Sequence, residues 1–445
     1  MIIWKSVFGK IMERSNTFCI MPFVHQNLKQ EGRVCACWRA QGDLGNSTTD
    51  SLLDIFNSTE TKELRRALLN GEKPEGCRSC WDTEDSNVES TRQQCLTNWQ
   101  YESNTVNFAD GSKTNDNENT KQLENYIRNT IKEDYSYPVE NLKSIEVRFD
   151  NICNLMCRHC SPVYSSLWEK AVKKKPALQD ASAGKRREET HISLTDNIVN
   201  EIEYLAPNLQ EVLITGGEPL YHSKHYEFLK NLEPYAENIT LNYNSNFSTL
   251  EYGGKNIIPL WKKFKRVGVL VSLDAYPDIY SYIRVYGKID KVESNIKKAK
   301  KELSNLGLQA TCTTSVLNIT RLHHVIRYYI SLRTGIHASI VQYPSQLNPR
   351  VLPKQLKEKI THEWKNFVEN LDNILDEEKV FNKKYRDYCK RRIPQVGNKM
   401  IKYMNSVDNF DSDWKSFINF AKTQDEYHNT DILDYYPEFK EYWNV

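Results

Sequence analysis

The sequence has neither long apolar runs nor a marked excess of one charge. No stretch approaches the roughly 18 apolar residues of a transmembrane helix, mean hydropathy is −0.66, and residues 1–5 are too short for a secretory signal. Lysine and arginine total 60 against 58 aspartates and glutamates, so no global field attracts nucleic acid or an anionic membrane. We therefore expect a cytoplasmic protein that acts on peptides or small molecules, with no nucleic-acid or membrane partner.

The cysteines of this sequence have an unusual arrangement. Eleven cysteines occur among 445 residues, several of them in short C-x-C, C-x2-C and C-x3-C-x2-C clusters. A reducing cytosol keeps thiols from pairing, so such clusters indicate metal ligands rather than disulfides. The length itself predicts about three domains and enough material for a sizeable core.

The most informative cluster is a C-x3-C-x2-C loop made of Cys153, Cys157 and Cys160. It directly follows an alternating run at 145–149 that predicts a β-strand. Iron–sulfur cubes are normally held by four cysteines, so three on one loop leave one iron free to bind another ligand. By chemistry alone, a zinc knuckle or a packed set of core cysteines also satisfies the pattern.

This loop, with His159 immediately before its last cysteine, resembles the cluster loop of the radical S-adenosylmethionine (radical SAM) enzymes. In that family the free iron of a 4Fe-4S cluster chelates the amino and carboxylate groups of SAM. One electron from the cluster then cleaves SAM to a 5'-deoxyadenosyl radical. The resemblance implies that Cys153, Cys157 and Cys160 bind this SAM-binding 4Fe-4S cluster, with His159 beside the adenine.

Between 142 and 345, strand-like and helix-like segments alternate six times. The predicted strands cover 142–149, 210–216, 238–245, 267–274, 309–316 and 338–344. The predicted helices cover 164–172, 194–204, 224–235, 257–264, 289–306 and 322–332. Right-handed βα units predict an α/β fold with a parallel sheet and chemistry at the carboxyl ends of the strands. The family resemblance implies the more specific form, a partial (β/α)6 TIM-like radical SAM barrel.

The second predicted strand ends in a Gly-Gly-Glu motif, Gly216, Gly217 and Glu218. The glycines permit close backbone approach to a ligand, and the glutamate can accept hydrogen bonds from an ammonium group. A Gly-Gly pair after a strand is ordinarily just a turn. One βα unit after a three-cysteine loop, however, it resembles the family motif that binds the amino group of SAM.

Further candidates follow the third, fourth and fifth strands. By resemblance, Asn246 binds the ribose of SAM, and Ser272 with Arg284 binds its carboxylate, arginine being suited to bidentate carboxylate recognition. Cys312 on the fifth predicted strand is a candidate hydrogen-atom donor to a substrate radical if it faces the lumen. The plainer interpretation of Cys312 is a packed core thiol.

The N-terminal region contains a second group of cysteines. By chemistry alone these suit a zinc ribbon and an iron–sulfur site equally. The spacing from Cys19 through a glycine to Cys37, then Cys77 and Cys80, resembles the twitch domain, a shortened relative of the SPASM domain that carries one auxiliary 4Fe-4S cluster. The resemblance implies these four as ligands, with Cys35 the alternative to Cys37. Here the module precedes the barrel, as in a group of radical SAM proteins with N-terminal twitch domains.

The remaining segments complete a four-part scheme. Residues 101–141 are rich in Asn, Asp, Thr, Gly and Ser and predict a polar linker, while Cys95 just before them is a spare ligand or a buried thiol. Residues 346–445 predict a helical extension that caps the barrel or serves oligomerisation. The predicted domains are 1–100, 101–141, 142–345 and 346–445.

We therefore predict a radical SAM oxidoreductase that abstracts hydrogen from a peptide or small-molecule substrate. Its cofactors are a SAM-binding 4Fe-4S cluster, an auxiliary 4Fe-4S cluster and SAM, and its partner is a reductant such as flavodoxin or ferredoxin. The auxiliary cluster favours net oxidation because it can accept an electron from a substrate radical. The alternatives are a redox-neutral modification such as epimerisation and a non-catalytic zinc-binding protein.

Overall fold

The computed structural model of the protein describes residues 16–29, 32–85, 89–98, 116–183 and 196–444. The chain divides into two compact units, Met1–Ser144 and Ile145–Val445. Residues 101–115 of the predicted linker and the start of the helix predicted at 194 lie outside the described ranges. Within those ranges no helix has the length and apolar character needed to cross a membrane.

The first unit combines a small antiparallel sheet with short helices. Its strands, joined in chain order, are β1 (His25–Leu28), β2 (Arg33–Cys35) and β3 (Gly45–Asn46). Its helices are α1 (Met21–Val24), α2 (Leu52–Phe56), α3 (Thr59–Leu69), α4 (Arg78–Asp85), α5 (Thr91–Asn98) and α6 (Asp116–Thr130). Helices α2 and α3 begin after Ser51 and Ser58, whose hydroxyls accept hydrogen bonds from backbone N–H groups in the first turn.

The second unit is built on a parallel sheet in which the strands lie in chain order. The strands are β4 (Ser144–Arg148), β5 (Glu211–Thr215), β6 (Thr240–Ser245), β9 (Arg266–Ser272), β10 (Leu306–Thr314) and β11 (Gly335–Ile340). The pairs β5–β6, β6–β9, β9–β10 and β10–β11 are parallel. A separate antiparallel hairpin contains β7 (Glu251–Tyr252) and β8 (Lys255–Asn256). The predicted α/β class with a partial six-stranded barrel is confirmed.

Helices connect these strands and cover one face of the sheet. They are α7 (Ser166–Lys174), α8 (Asp196–Leu205), α9 (Ser223–Leu232), α10 (Ile258–Trp261), α11 (Pro277–Ile283), α12 (Ile289–Glu302), α13 (Val316–Ile319) and α14 (Leu322–Ser331). Most lie within a few residues of the predicted helices. Helix α10 is shorter than predicted, and the short helices α11 and α13 were not predicted because one or two turns carry too little periodicity.

The strands of the barrel have two chemically different faces. On β9, Val267, Val269 and Val271 are buried and alternate with half-buried positions. Tyr243 of β6, paired with Val269, bonds His225 on α9 through its hydroxyl, so this is the helix-covered face. Residues paired across parallel strands share a face, which defines the opposite, lumen face. Its polar side chains include those of Asn242, Asn244, Ser272, Gln309, Thr311, Thr313, His337 and Ser339.

The C-terminal part of the second unit is helical. Its helices are α15 (Lys354–Glu369), α16 (Leu371–Glu377), α17 (Lys383–Met404), α18 (Phe410–His428) and α19 (Ile432–Tyr435). Helix α17 continues through Pro394, and its buried residues include Ile393, Val396 and Met400. At Gly397 an added Cβ would lie 1.8 Å from the Trp364 ring, so glycine permits close contact with α15.

Candidate functional site

The C-x3-C-x2-C loop, residues 150–160, follows β4 and is held in place by its backbone. Nε1 of Trp168 on α7 donates to the carbonyl of Cys157 at 2.9 Å. The N–H of Arg158 donates to the carbonyl of Ile283, at the end of α11, at 2.9 Å. Since these bonds involve two separate helices, the surrounding fold adds to the bonds within the loop, such as that from the N–H of Ile152 to Oδ1 of Asp150 at 2.6 Å.

The Gly-Gly-Glu segment contacts this loop directly. The N–H groups of Gly217 and Glu218 donate to the carbonyls of Asp150 and Ile152 at 3.1 and 2.7 Å. A Cβ at Gly217 would lie 2.1 Å from the Ile152 oxygen, and Gly216 has a φ of +118°. The glycines are therefore needed for the approach of two protein segments, whereas the sequence had suggested approach to a ligand.

Glu218 is buried at the centre of a polar network. Its carboxylate accepts hydrogen bonds from Oγ of Ser245 at 2.7 Å and from the N–H of Asn246 at 2.6 Å, with the N–H of Leu220 at 3.2 Å. Burial raises the pKa of Glu218, although these bonds oppose the rise. Nδ2 of Asn246 in turn donates to Oδ1 of Asn154 inside the cluster loop at 2.9 Å. The structure thus brings Glu218 and Asn246 together beside the three cysteines.

The three thiols lie near one another and near two charged groups. Burial raises the pKa of Cys153 well above its usual range, and Cys157, Glu218 and Cys160 raise it further. Burial also raises the pKa of Cys160 to about 12 and that of Cys157, where the Arg284 guanidinium opposes the rise. Buried thiolates need a compensating positive charge, and a metal cluster supplies one.

A single zinc ion and an iron–sulfur cube place different demands on their ligands. Among the described residues, no three His, Cys, Asp or Glu side chains are grouped to hold one metal ion. A structural zinc site needs about four ligands roughly 2.0–2.3 Å from one ion. In an iron–sulfur cube, in contrast, each thiolate binds a different iron, so the sulfurs stand further apart. Three thiols on one loop are the number that holds a cube with one iron open to a further ligand.

A buried ion pair that the sequence did not predict lies beside Cys157. Nε and Nη2 of Arg284 donate to Oδ2 of Asp274 at 2.8 and 2.5 Å, while Nη1 lies 3.7 Å from Sγ of Cys157. Burial alone would raise the pKa of Asp274, but Arg284 and then His159 outweigh burial and hold it well below its usual range. Arg284 was predicted to bind the SAM carboxylate together with Ser272, but two of its nitrogens already bond Asp274. Its Nη1 faces the cluster loop.

His159 and Ser272 occupy different parts of this site. Nε2 of His159 lies 3.2 Å from Oδ2 of Asp274, and its buried Nδ1 has no hydrogen-bond partner within the described part of the chain. An orphaned ring nitrogen suits a polar ligand. Ser272 ends β9 on the lumen face, beside Thr311 of β10. Asp274 lies two residues after Ser272, just beyond the end of β9. This position at the end of a strand was the sequence feature that could have identified Asp274 as a site residue.

The C-terminal helices contribute a second unpredicted contact to the cluster loop. Arg158, which is 1% exposed, pairs through Nη2 with Oδ1 of Asp425 on α18 at 2.9 Å, and its guanidinium lies 3.7 Å from the Tyr282 ring centre. Nε2 of the adjacent Gln424 donates to the Arg158 carbonyl at 2.9 Å. The C-terminal extension therefore braces the cluster loop, a role that no local sequence signal indicated.

Cys312 does not face the lumen. It lies two residues beyond Ala310 of β10, which pairs with Val271 on the helix-covered face. It is fully buried next to Tyr329 of α14, and burial raises the pKa of its thiol. The candidate role of Cys312 as a hydrogen-atom donor is therefore wrong, because strand register places it among the helices, where the plainer interpretation of a packed core thiol fits.

A cavity in the first unit gathers the N-terminal cysteines. Its cysteine lining consists of Cys19, Cys37, Cys77, Cys80 and Cys95. Burial raises the pKa of Cys37 to about 11 and that of Cys77 to about 12. As at the barrel, such thiols fit a metal cluster, and four of them are the predicted ligands.

Cys35 lies outside this cavity wall. Its thiol is buried and lies 3.6 Å from Oδ1 of Asp43. Cys35 belongs to β2, while Cys37 follows in the turn after that strand. The structure thus places Cys37 rather than Cys35 with the other candidate ligands.

Two family models match segments of the chain. Residues 147–320 match the model of the radical SAM superfamily, and residues 19–81 match that of an iron–sulfur cluster-binding domain, SPASM. No curated protein matches the chain significantly. The two matched segments contain all seven predicted cysteine ligands, Cys19, Cys37, Cys77, Cys80, Cys153, Cys157 and Cys160.

Several solved structures are similar to the chain at low identity. SuiB of Streptococcus suis bound to S-adenosylmethionine has a TM-score of 0.36 and 13% identity, covering 69% of this chain and 63% of its own. The enzyme anSMEcpe with bound AdoMet has a TM-score of 0.35 and 15% identity, covering 52% and 59%. SuiB bound to its precursor peptide SuiA has a TM-score of 0.34 and 13% identity, covering 69% and 63%. The matched region is therefore less than two thirds of each of these chains.

Proposed function

We propose that this chain, a radical SAM protein with an auxiliary iron–sulfur cluster-binding domain, reductively cleaves SAM and abstracts hydrogen from a peptide or small-molecule substrate. The observation that carries the proposal is the junction of the cluster loop with the Gly-Gly-Glu segment, where Glu218 N–H meets the Ile152 carbonyl at 2.7 Å. This junction brings an acidic acceptor beside three cysteine thiols, of which that of Cys157 is buried. Such a pairing suits one iron that binds a substrate carrying an amino group.

The residues of the barrel have distinct proposed roles. Cys153, Cys157 and Cys160 hold the cluster, which when bound supplies the electron that cleaves SAM to a 5'-deoxyadenosyl radical. Glu218 accepts hydrogen bonds from the SAM ammonium group, and Gly216 and Gly217 hold its loop against the cluster loop. The remaining SAM ligands are Asn246 for the ribose, Ser272 and Nη1 of Arg284 for the carboxylate, and His159 for the adenine.

Asp274 is a positioning residue in this scheme. Its two bonds to Arg284 fix the plane of the guanidinium, so that Nη1 stays 3.7 Å from Sγ of Cys157. A guanidinium has five N–H donors, so those not used on Asp274 stay available for an anionic ligand. A positive charge next to a cluster thiolate also favours the reduced, more negative state of the cluster.

The N-terminal cysteines are proposed to hold the auxiliary cluster. Cys19, Cys37, Cys77 and Cys80 complete the ligation of one cube and leave no iron for SAM. Such a cluster acts as an electron carrier and favours net oxidation of the substrate. A redox-neutral modification such as epimerisation is the alternative, in which the cluster only conducts electrons.

The lumen face indicates the character of the substrate. Its polar side chains, including Thr311, Thr313, His337 and Ser339, offer hydrogen-bond partners toward the carboxyl ends of β10 and β11. These groups suit an amide-rich peptide or a hydroxylated small molecule. The proposal also includes cytoplasmic location, a flavodoxin- or ferredoxin-like reductant, and the domain scheme 1–100, 101–141, 142–345 and 346–445.

The direct test is formation of 5'-deoxyadenosine by anaerobically reconstituted protein with SAM and a strong reductant. Wild type should be brown, contain about eight irons per chain, one cube at each site, and form the product slowly without substrate. Cys157→Ala should form none. Cys312→Ala is the matched control, a buried cysteine on the helix-covered face, and should retain product formation. A colourless zinc-containing protein, or undiminished product in Cys157→Ala, would overturn the proposal.

A further inference from the structure

The cavity of the first unit contains one thiol more than a cube needs. Four cysteines complete the ligation of a 4Fe-4S cluster, yet Cys95 lines the same cavity as the four predicted ligands. Cys95 also lies outside residues 19–81, the segment that matches the cluster-binding domain. Neither the family match nor the cysteine spacing assigns it a role.

Helix α5 is anchored so that Cys95 faces the cavity. Arg92 on the same helix is 9% exposed, donates from Nη1 to the carbonyl of Phe18 at 2.8 Å, and pairs with Glu84 through Nη2 at 2.7 Å. Residues three apart on a helix share a face, so the anchor at Arg92 turns Cys95 toward the same wall. Phe18 immediately precedes Cys19, so the bond from Arg92 connects α5 to the segment that carries the first predicted ligand.

The anchor of α5 lies next to Cys19. Nη1 of Arg92 bonds the carbonyl of Phe18, the residue that precedes Cys19, and Cys95 lies on the same face of α5 as Arg92. Cys19 and Cys95 also line the same cavity.

We propose that Cys95 is a reserve ligand of the auxiliary cluster that replaces Cys19 on its iron. The proposal rests on the auxiliary cluster of the proposed function. In the exchange, the iron–sulfur bond to Cys19 breaks and one to Cys95 forms. The proton of the Cys95 thiol passes to the departing Cys19, so neither the number of electrons nor the charge of the cluster changes. One iron therefore changes its protein ligand without loss of the cube.

The test uses the full chain with Cys153, Cys157 and Cys160 all replaced by alanine, so that any cube present is the auxiliary one. A cube with an iron not bound by cysteine loses that iron on mild oxidation and gives the paramagnetic signal of a three-iron cluster. In this background, Cys19→Ala should keep about four irons and give no such signal. Cys19→Ala with Cys95→Ala should give the signal or lose the cluster. Cys37→Ala is the control and should give it although Cys95 is present.

A second measurement does not depend on replacing Cys19. In the same background, Cys95→Ala should release iron to a chelator about tenfold faster or more, because a dissociated Cys19 is no longer replaced. Cys35→Ala is the matched control, since Cys35 is buried in the same unit but outside the cavity wall, and its release rate should not change.

Two results overturn the reserve-ligand role: a three-iron signal in Cys19→Ala equal to that of the double variant, or equal iron release from Cys95→Ala and Cys35→Ala. A different result would contradict the proposed auxiliary cluster itself. In that case the background protein would bind no iron, or Cys77→Ala with Cys80→Ala would leave its iron content unchanged. The two failures are therefore distinguishable.

Discussion

The brace between Arg158 and Asp425 offers a quantitative test of how the C-terminal helices support the cluster loop. Arg158 stands between two cysteines of the loop, is almost fully buried, and pairs with Asp425 at 2.9 Å. Asp425→Asn keeps the size and the hydrogen-bonding capacity of the side chain but removes its charge. The substitution therefore leaves the buried guanidinium without its carboxylate partner.

The expected cost follows from the burial of this pair. Removing one partner of a buried ion pair destabilises a protein by about 3–5 kcal/mol, whereas an exposed pair contributes about 0–1 kcal/mol. The adjacent Glu426 supplies the matched control, because it pairs with Lys175 at 2.6 Å while its side chain is 73% exposed. Glu426→Gln should therefore leave the free energy of unfolding almost unchanged.

Both variants are compared by urea denaturation followed by circular dichroism, and by the rate at which a chelator removes iron. Asp425→Asn should shift the urea midpoint of the second unit downward and release iron from the cluster loop faster, because Cys157 and His159 flank Arg158. Equal urea midpoints for the two variants, or free energies of unfolding that differ by less than about 1 kcal/mol, would refute the brace as a source of stability. Unchanged iron release would separate stability from cluster retention.

Two further predictions concern the Gly-Gly-Glu segment and the helix-covered face. Gly217→Ala places a Cβ 2.1 Å from the Ile152 carbonyl oxygen, so it should cost about 1–3 kcal/mol and abolish 5'-deoxyadenosine formation; wild-type activity would contradict the close contact. Burial lowers the pKa of His225 to about 3, so below about pH 6.5 the unfolded chain binds a proton that the folded chain does not. The free energy of unfolding should therefore decrease by about 1.4 kcal/mol for each unit by which the pH is lowered. In urea titrations between pH 6 and 5, His225→Gln should reduce the slope by about that amount, while His323 and His428, whose pKa values burial lowers to about 4, keep their own contributions. A slope equal to that of wild type would contradict the prediction.

Local sequence patterns were sufficient for the α/β class and for the candidate ligands. The spacing of Cys153, Cys157 and Cys160 lies within eight residues of chain, and a short loop limits how far its side chains can separate. The alternation on β9, where valines at 267, 269 and 271 are buried, likewise arises from the two-residue period of a strand. Features that depend only on residues close together in the sequence can therefore be predicted from the sequence.

The partners of individual side chains were not visible, because they join residues distant in sequence. Arg284 was predicted to bind a SAM carboxylate, yet two of its donors bond Asp274, a competitor that becomes adjacent through the path from β9 to α11. Asp425 reaches Arg158 across more than half of the chain, with no spacing that marks the pair. Such contacts depend on how elements pack, and packing is decided by the whole core.

Strand register and cavity shape were the other features that required tertiary structure. Cys312 was a candidate for the lumen because the sequence of one strand does not show which of its two faces points to the helices. The pairing of Ala310 with Val271 places Cys312 on the helix-covered face. Cys95 appeared solitary in the sequence, and the anchoring of α5 by Arg92 brings it among the other thiols. Local composition and period specify which chemical groups this protein has and where its strands lie along the chain. The fold decided which of those groups meet, because only packing brings distant residues within bonding distance.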